Sequence, residues 1–177
     1  MGERDADGER RGGSNAAVVP CRAMDAMDHH LHVVLVYPEI PPNTGSIARL
    51  CAGTDTVLHL VEPLGFSLED RYLKRAGLDY WPHVQLQLHP SLDQLFAAHP
   101  AVRGFYASKA AERLYTEVAY RRGDFLFFGR ETRGLPAELL AAHPEATIRL
   151  PQNAKIRSQN LANAVAAILY EAIRQLR

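Results

Sequence analysis

The sequence predicts an α/β domain with a mostly parallel sheet flanked by helices, and three observations support this fold class. Short apolar runs of strand length alternate along the chain with stretches of helical periodicity, which is the pattern of strand–helix–strand units. The 177 residues are enough for one domain with a sizeable core. Apolar residues make up 47% of the chain and charged residues 23%, a balance that excludes a fibrous or wholly disordered protein.

Six segments have the composition of β-strands. Runs 31–37 and 57–61 are rich in β-branched residues, and run 124–128 is strongly apolar. Residues 84–88 alternate between apolar and polar side chains, which indicates a strand at a sheet edge. Segments 104–107 and 147–150 are shorter. Because ligands bind beyond the carboxyl ends of parallel strands, the loops after residues 37, 107, 128 and 150 are the candidate positions for a site.

Helical stretches are expected at 45–53, 69–76, 91–98, 136–142 and 158–176, and the last has the clearest amphipathic pattern. Asn43 or Thr44 is expected to cap the first of these helices, and Ser158 the last. Segment 1–30 is rich in glycine, arginine and acidic residues and lacks apolar periodicity. We therefore expect it to be a disordered extension in front of one domain over residues 31–177.

Charge and cysteine content restrict the function classes. Twenty basic and twenty acidic residues cancel, so a nucleic-acid partner would need a local basic patch. Cys21 and Cys51 form no Cys-x-x-Cys motif and the eight histidines lack the spacing of metal ligands, so we expect no metal site. No apolar run is long enough to span a membrane and no secretory signal is recognisable, which favours a cytoplasmic protein.

The loop after the first strand contains Asn43, Gly45 and Arg49. Gly45 allows another segment of chain to approach closely. Arg49 follows one helical turn later, where its guanidinium can donate two parallel hydrogen bonds to a phosphate. A capped helix that carries a surface arginine explains the same residues.

The loops after 128 and 150 carry further polar groups. Gly129 leaves room for a flat ligand and Glu131 can accept hydrogen bonds, although a turn that caps the next helix is the alternative. Ser158, Asn160 and Asn163 place three small polar side chains at a helix start. Capping needs fewer groups than this, so the set favours a ligand site.

A basic patch is predicted at Arg71, Lys74 and Arg75, which share one helical face. Such a patch can hold RNA phosphates, and a solvated charged face is the alternative. Tyr80 and Trp81 follow directly and either stack on a base or belong to the core. The glycine-rich dinucleotide and P-loop motifs, HExxH and GxSxG are all absent from the sequence.

Three patterns recur in order and with consistent spacing. They are Asn43-x-Gly45-x-Ile47-x-Arg49, then Phe128-Gly129-x-Glu131-x-x-Gly134, and then Leu150-Pro151 followed by Ser158-x-Asn160-x-x-Asn163-Ala164. Together they resemble the motifs of the SPOUT RNA 2′-O-methyltransferases over about residues 31–177. The resemblance is strongest to the branch of small tRNA (cytidine/uridine-2′-O)-methyltransferases that act at the anticodon wobble position.

This resemblance implies a SPOUT fold with a C-terminal trefoil knot, a homodimer, and the tRNA anticodon stem-loop as substrate. It also implies S-adenosyl-L-methionine as the cofactor, bound by Ala107, Gly129, Leu150 and Ser158. The expected reaction transfers the cofactor's methyl group to the ribose 2′-oxygen of a wobble pyrimidine.

Catalysis is assigned by hypothesis to Arg49, Asn43, Glu131 and Asn160. Arginine is almost never neutral, so we expect Arg49 to orient the substrate and stabilise developing charge, while the other three residues fix ribose or phosphate. Two alternatives remain open at this point. One is methylation of ribosomal RNA or of another tRNA position, and the other is a non-catalytic RNA-binding protein on the same fold.

Overall fold

A computed structural model describes residues 30–68 and 80–177, in which six strands form one sheet between two layers of helices. All strand pairings in this sheet are parallel, and the order is β3-β2-β1-β5-β4-β6. The predicted α/β class is confirmed, and the third strand lies at a sheet edge as predicted. The strands are β1 (His32–Val36), β2 (Val57–Val61), β3 (Leu86–His89), β4 (Gly104–Ala107), β5 (Phe125–Phe128) and β6 (Thr147–Ile148).

Four α-helices cover the two faces of the sheet in the described part of the chain. They are α1 (Pro41–Gly53), α2 (Leu92–Ala98), α3 (Ala137–Ala142) and α4 (Leu161–Leu176). Helices α1 and α4 pack on one face, and α2 and α3 pack on the other. Within the residues described, no helix has both the length and the apolar character needed to cross a membrane. The predicted helix 69–76 and residues 1–29 lie outside the described residues.

The central strands are buried on both faces, which explains why their sequences are continuous apolar runs. Val33 and Leu35 of β1 pack with α1 and α4, whereas Val34 and Val36 pack toward α2 and α3. Because side chains alternate along a strand, one run supplies both hydrophobic cores.

Helix α1 begins four residues earlier than predicted. Its N-cap is Ile40, which makes no side-chain capping bond, and Asn43 and Thr44 lie inside the first turns. The prediction that Asn43 or Thr44 caps this helix is therefore wrong. Pro41 and Pro42 explain the earlier start, because their backbone angle suits a first helical turn and they have no N–H to satisfy.

Helix α4 begins three residues later than predicted, and Asn160 rather than Ser158 is its N-cap. The Asn160 Oδ1 accepts hydrogen bonds from the backbone N–H groups of Ala162 at 2.9 Å and Asn163 at 3.3 Å. These bonds satisfy two of the amides that a helix start leaves unpaired. Ser158 is consequently left in the loop, where it is exposed.

Tyr80 and Trp81 belong to the core. Tyr80 is buried, its hydroxyl donates a 2.7 Å hydrogen bond to the Gly45 carbonyl, and Trp81 packs against the same cluster. The alternative that Tyr80 stacks on a base is therefore excluded, because its ring is covered by protein.

Four histidines, His32, His59, His89 and His99, form a histidine cluster between the sheet and α2. His32 Nδ1 and His59 Nε2 lie 2.9 Å apart, as do His59 Nδ1 and His89 Nε2. The His99 ring meets the His59 ring edge-on with centroids 5.2 Å apart. The four residues come from β1, β2, β3 and the end of α2, so only the folded chain brings them together.

Burial lowers the pKa of His59 to about 3 and that of His32 to about 4, with smaller contributions from neighbouring imidazoles. Burial is also the main reason why the pKa of His89 is lowered. At neutral pH these three imidazoles are therefore uncharged, and each has one protonated and one unprotonated nitrogen.

Candidate active site

A cavity of about 850 Å³ lies at the carboxyl ends of β1, β4, β5 and β6. All four loops that the sequence singles out contribute to its wall. This position follows from the parallel sheet, since loops leaving the carboxyl ends of neighbouring strands meet at one edge. The volume is that of a site for a small organic ligand or cofactor.

The cavity brings together seven of the predicted site residues. Its wall includes an apolar part from Leu135, Leu140 and Ile148. The predicted residues that line it are Asn43, Ala107, Gly129, Glu131, Leu150, Ser158 and Asn160.

Three predicted polar side chains form a continuous hydrogen-bonded chain. The Asn160 amide nitrogen donates to Asn43 Oδ1 at 3.0 Å, and the Asn43 amide nitrogen donates to Glu131 Oε1 at 3.0 Å. Asn43 is nearly buried, so these bonds hold its side chain in one orientation. The chain joins the starts of α1 and α4 to the loop after β5, and it faces the cavity at every member.

Two carboxylates, one on the loop after β1 and one on the loop after β5, each accept hydrogen bonds from the other loop, an arrangement we call the carboxylate clamp of Glu39 and Glu131. Glu131 accepts from the backbone N–H of Glu39 at 2.9 Å and of Ile40 at 3.2 Å. Glu39 in turn accepts from the Thr132 hydroxyl at 2.7 Å and backbone N–H at 3.3 Å. The Glu131 carboxylate thus satisfies backbone donors just before α1, where a side-chain cap is missing.

Sequence reasoning predicted Glu131 but missed Glu39 and Thr132. Glu39 lies three residues after the end of β1, in a loop already singled out. An acidic residue at that position was the available signal. The contact between Glu39 and Thr132 could not be inferred, since these two residues lie 93 positions apart in the chain.

Gly129 is required by the protein's own backbone. A Cβ at this position would lie 1.9 Å from the Gly134 carbonyl carbon and 2.1 Å from the Leu135 nitrogen. Arg130 and Gly134 exchange two backbone hydrogen bonds, of 3.1 and 2.8 Å, which close this tight loop. The backbone of this loop therefore already requires glycine here, and the expectation that Gly129 leaves room for a ligand stays a prediction for a residue that lines the cavity.

Arg49 is not brought into the cavity of its own chain. It is exposed on α1, and its guanidinium carbon lies 5.4 Å from the centre of the Tyr80 ring. Of the other three predicted catalytic residues, Asn160 contacts Asn43 and Asn43 contacts Glu131, and all three line the cavity.

Cationic side chains surround the mouth of the cavity. Lys109, Arg130, Arg133 and Arg157 are among its lining residues, and Arg157 donates a 2.6 Å hydrogen bond to the Thr132 carbonyl. A basic rim of this kind favours a ligand that carries phosphates. The predicted RNA-binding residues Arg71, Lys74 and Arg75 lie outside the described residues.

Replacing Glu131 with glutamine is expected to lower the free energy of unfolding by about 1.5–3 kcal/mol, because hydrogen bonds to a charged acceptor are removed. A glutamine amide nitrogen cannot accept from the backbone N–H groups that Glu131 Oε1 and Oε2 now bind. Urea denaturation measures the change. The matched control is Glu138→Gln on the exposed surface of α3, for which we expect a change within about 0.5 kcal/mol. Equal stability of the two variants would contradict the clamp.

Comparison with known proteins gives close relatives over most of the chain. The tRNA (cytidine(34)-2'-O)-methyltransferase of Methylovorus glucosotrophus is 50% identical over 144 residues, covering 81% of this chain and 94% of the relative. A solved structure described as "Structural insights into the 2-OH methylation of C/U34 on tRNA" matches with a TM-score of 0.80 and 49% identity. That match covers 84% of this chain and 97% of the other.

A more distant solved structure is an AdoMet-bound rRNA methyltransferase from Sinorhizobium meliloti. It matches with a TM-score of 0.76 and 25% identity, covering 85% of this chain but 58% of the other. The sequence profile described as the SpoU rRNA Methylase family matches residues 30–170, which include every strand and all the cavity loops. The chain therefore belongs to the SpoU rRNA Methylase family.

Proposed function

We propose that this protein is an S-adenosylmethionine-dependent tRNA methyltransferase that modifies the ribose 2′-oxygen of the wobble pyrimidine, cytidine or modified uridine. The observation that carries the proposal is the hydrogen-bonded chain of Asn160, Asn43 and Glu131 on the wall of the cavity. Relatives of about 50% identity that match almost their whole length carry this activity in their names.

The cavity fits the cofactor. Leu135, Leu140 and Ile148 offer an apolar wall for a flat base, while Ser158, in the loop before α4, adds a hydroxyl. We assign Ala107, Gly129, Leu150 and Ser158 as the residues that hold S-adenosylmethionine. When bound, this cofactor supplies a methyl group on a good leaving group.

The chain's own residues orient the substrate and manage charge. Asn43 and Asn160 have their amides held by each other and by Glu131, so their positions are fixed before RNA binds. Glu131 is engaged with backbone donors and serves as a positioning residue for this pair. We assign Arg49 to the ribose and its flanking phosphate, where a permanent cation stabilises the negative charge that develops on the 2′-oxygen.

The alternative of ribosomal RNA as substrate has weaker support. The rRNA methyltransferase neighbour is 25% identical, and this chain spans only 58% of it. The binding-protein alternative is also disfavoured, because Arg49, Glu131 and Ser158 are all present. We propose cytoplasmic action, the setting in which thiols such as Cys51 stay reduced.

The same proposal includes the domain bounds, a knotted C-terminal segment and a homodimer. Residues 31–177 form the methyltransferase domain and 1–30 an extension. The segment between β6 and α4 forms a trefoil knot, supported by its contacts with the loop after β5, Arg157 to Thr132, and with the first turns of α1, Asn160 to Asn43. The protein acts as a homodimer in which Arg49 completes the site of the partner subunit. The position of Arg49 outside its own chain's cavity supports this arrangement.

Complementation tests the shared site. Arg49→Ala and Asn160→Ala variants are each expected to be inactive. Random mixing of the two after unfolding and refolding should restore about a quarter of wild-type activity, since half of the dimers then contain one intact site. Light scattering gives the oligomeric state. Activity absent from the mixture, with dimers present, would place both residues in the same subunit's site.

The activity itself is tested with methyl-labelled S-adenosylmethionine and bulk tRNA from cells that lack this modification. We expect label at the 2′-oxygen of a wobble pyrimidine after digestion to nucleotides. Label in ribosomal RNA or elsewhere in tRNA would keep the methyltransferase activity but assign it a different substrate. Cofactor binding without label in any RNA would favour the non-catalytic alternative.

The basic residues Arg71, Lys74 and Arg75 are proposed to hold phosphates of the anticodon stem-loop. Replacing all three with alanine is expected to weaken tRNA binding and to reduce the slope of log K against log salt by about 1 for each phosphate that is no longer bound. Filter binding across a salt series measures both quantities. An unchanged slope would identify the patch as a solvated surface.

A further inference from the structure

We propose that the histidine cluster is a Zn²⁺ site, with His59, His89 and His99 as protein ligands. This inference is independent of the proposed methyl transfer, because none of these residues lines the catalytic cavity. One potential ligand atom from each of the three lies within 4.8 Å of the other two. Imidazole nitrogen suits zinc well, and three protein ligands with one open position form a common zinc geometry.

Two of the three ligand nitrogens already have nearly the spacing of a metal-bound pair. His59 Nδ1 and His89 Nε2 are 2.9 Å apart. Two nitrogens bound to one tetrahedral zinc lie about 3.3 Å apart, given Zn–N bonds of about 2.0–2.1 Å. Binding therefore requires the two rings to separate by about 0.4 Å.

Neighbouring groups are placed to orient two of the ligands. His32 Nδ1 lies 2.9 Å from His59 Nε2, the nitrogen that faces away from His89, and can accept its N–H. Gln87 Oε1 lies 3.4 Å from His99 Nε2 and can accept that proton, which leaves His99 Nδ1 with its lone pair for the metal. Zinc-bound histidines characteristically donate their other ring N–H to such partners.

The protons balance without a change in the charge of any ligand. In the tautomer of His59 that donates its Nε2 proton to His32, the hydrogen bond to His59 Nδ1 comes from His89 Nε2. When zinc takes the place of that shared proton, the His89 proton moves to His89 Nδ1. All three imidazoles stay neutral, which is the form that binds metal.

The topology gives the ion a structural role. His59 and His89 belong to the paired strands β2 and β3, and His99 caps the C-terminal end of the seven-residue helix α2. A bound ion would therefore tie the edge strand and a short helix to the sheet. His59 and His89 are buried whereas His99 is partly exposed, so the His99 side gives the ion an entry path and water the fourth position.

The sequence predicted no metal site because the three ligands show no metal-ligand spacing along the chain. The fold brings these distant positions together, because β2 and β3 pair side by side and α2 packs on one face of the sheet that they form. Only the strand order shows that the histidines at positions 59, 89 and 99 lie close together.

The test uses the full chain after dialysis against a chelator, titrated with ZnCl₂ alone in a calorimeter. We expect one tightly bound equivalent and a higher melting temperature with zinc. His99→Ala, chosen because this side chain is partly exposed, should weaken binding by about 100-fold or more. The matched control His83→Ala, in the exposed turn after Tyr80, should bind as the wild type does.

A second measurement needs no variant. Co²⁺ in the wild-type chain should give the strong visible absorption of a four-coordinate nitrogen site, and zinc should displace it. Absence of a stoichiometric site, or equal zinc affinity in wild type and His99→Ala, would overturn the proposal. Equal affinity would place the bound ion on other histidines.

Discussion

An Arg49→Ala variant is expected to reduce methyl transfer by about 100-fold or more while binding S-adenosylmethionine as the wild type does. The reduction follows from removing the one permanent cation that we place at the reacting ribose. Cofactor binding should survive because we assign Arg49 to the ribose and its phosphate, whereas the residues assigned to the cofactor, such as Gly129 and Ser158, line the cavity without it. Single-turnover kinetics and calorimetry measure the two effects separately.

The fold should tolerate this change. The Arg49 guanidinium lies 5.4 Å from the centre of the Tyr80 ring, and removing a cation–π interaction at an exposed site costs about 0.5–1 kcal/mol. Arg122→Ala is the control, an exposed arginine that does not line the cavity. If Arg49→Ala transferred methyl groups at the control's rate, its catalytic assignment would be wrong. Partial rescue by Arg49→Lys would attribute the effect to charge rather than to the bidentate fork.

Replacing Gly129 with alanine is expected to lower the free energy of unfolding by about 3 kcal/mol or more. The added Cβ would meet the Gly134 and Leu135 backbone at about 2 Å, and a backbone cannot relax by changing a rotamer. The loop after β5 would have to open, which also displaces Glu131 and the cavity wall. Chemical denaturation measures the stability change.

Gly53→Ala provides the matched comparison, because a Cβ there meets nothing within 4 Å. This residue ends α1, where alanine is at least as favourable as glycine. We expect Gly53→Ala to be neutral or slightly stabilising. Similar stability of the two variants would show that the loop at Gly129 adapts readily.

The layers of the fold were predictable because they depend on local pattern. Runs 31–37 and 57–61 are apolar on both faces, which occurs where helices cover both sides of a sheet. The strand order was not predictable in the same way. β1 pairs with β5 across almost a hundred residues, and nothing in either run specifies that partner.

The site residues likewise fall into those that were predictable from sequence and those that were not. Asn43, Glu131 and Asn160 were accessible from sequence because parallel strands bring the loops at their carboxyl ends together. The capping assignments failed because α1 begins earlier, at Pro41, and α4 later, at Leu161, so that Thr44 lies inside its helix and Ser158 in the loop before its helix. Asn43 binds Glu131 and Asn160 instead of its own backbone. The clamp partner of Glu39 and the histidine cluster depend on strand neighbours, which spacing along the chain does not reveal.

The carboxylate clamp has a thermodynamic consequence for how ligands influence each other. Glu39 and Glu131 tie the loop that leads into Asn43 to the loop that carries Gly129, so neither loop can adjust independently. A cofactor that fixes the conformation of one loop therefore fixes that of the other before RNA binds. Linkage makes this effect reciprocal: whatever factor the cofactor adds to RNA affinity, RNA adds to cofactor affinity.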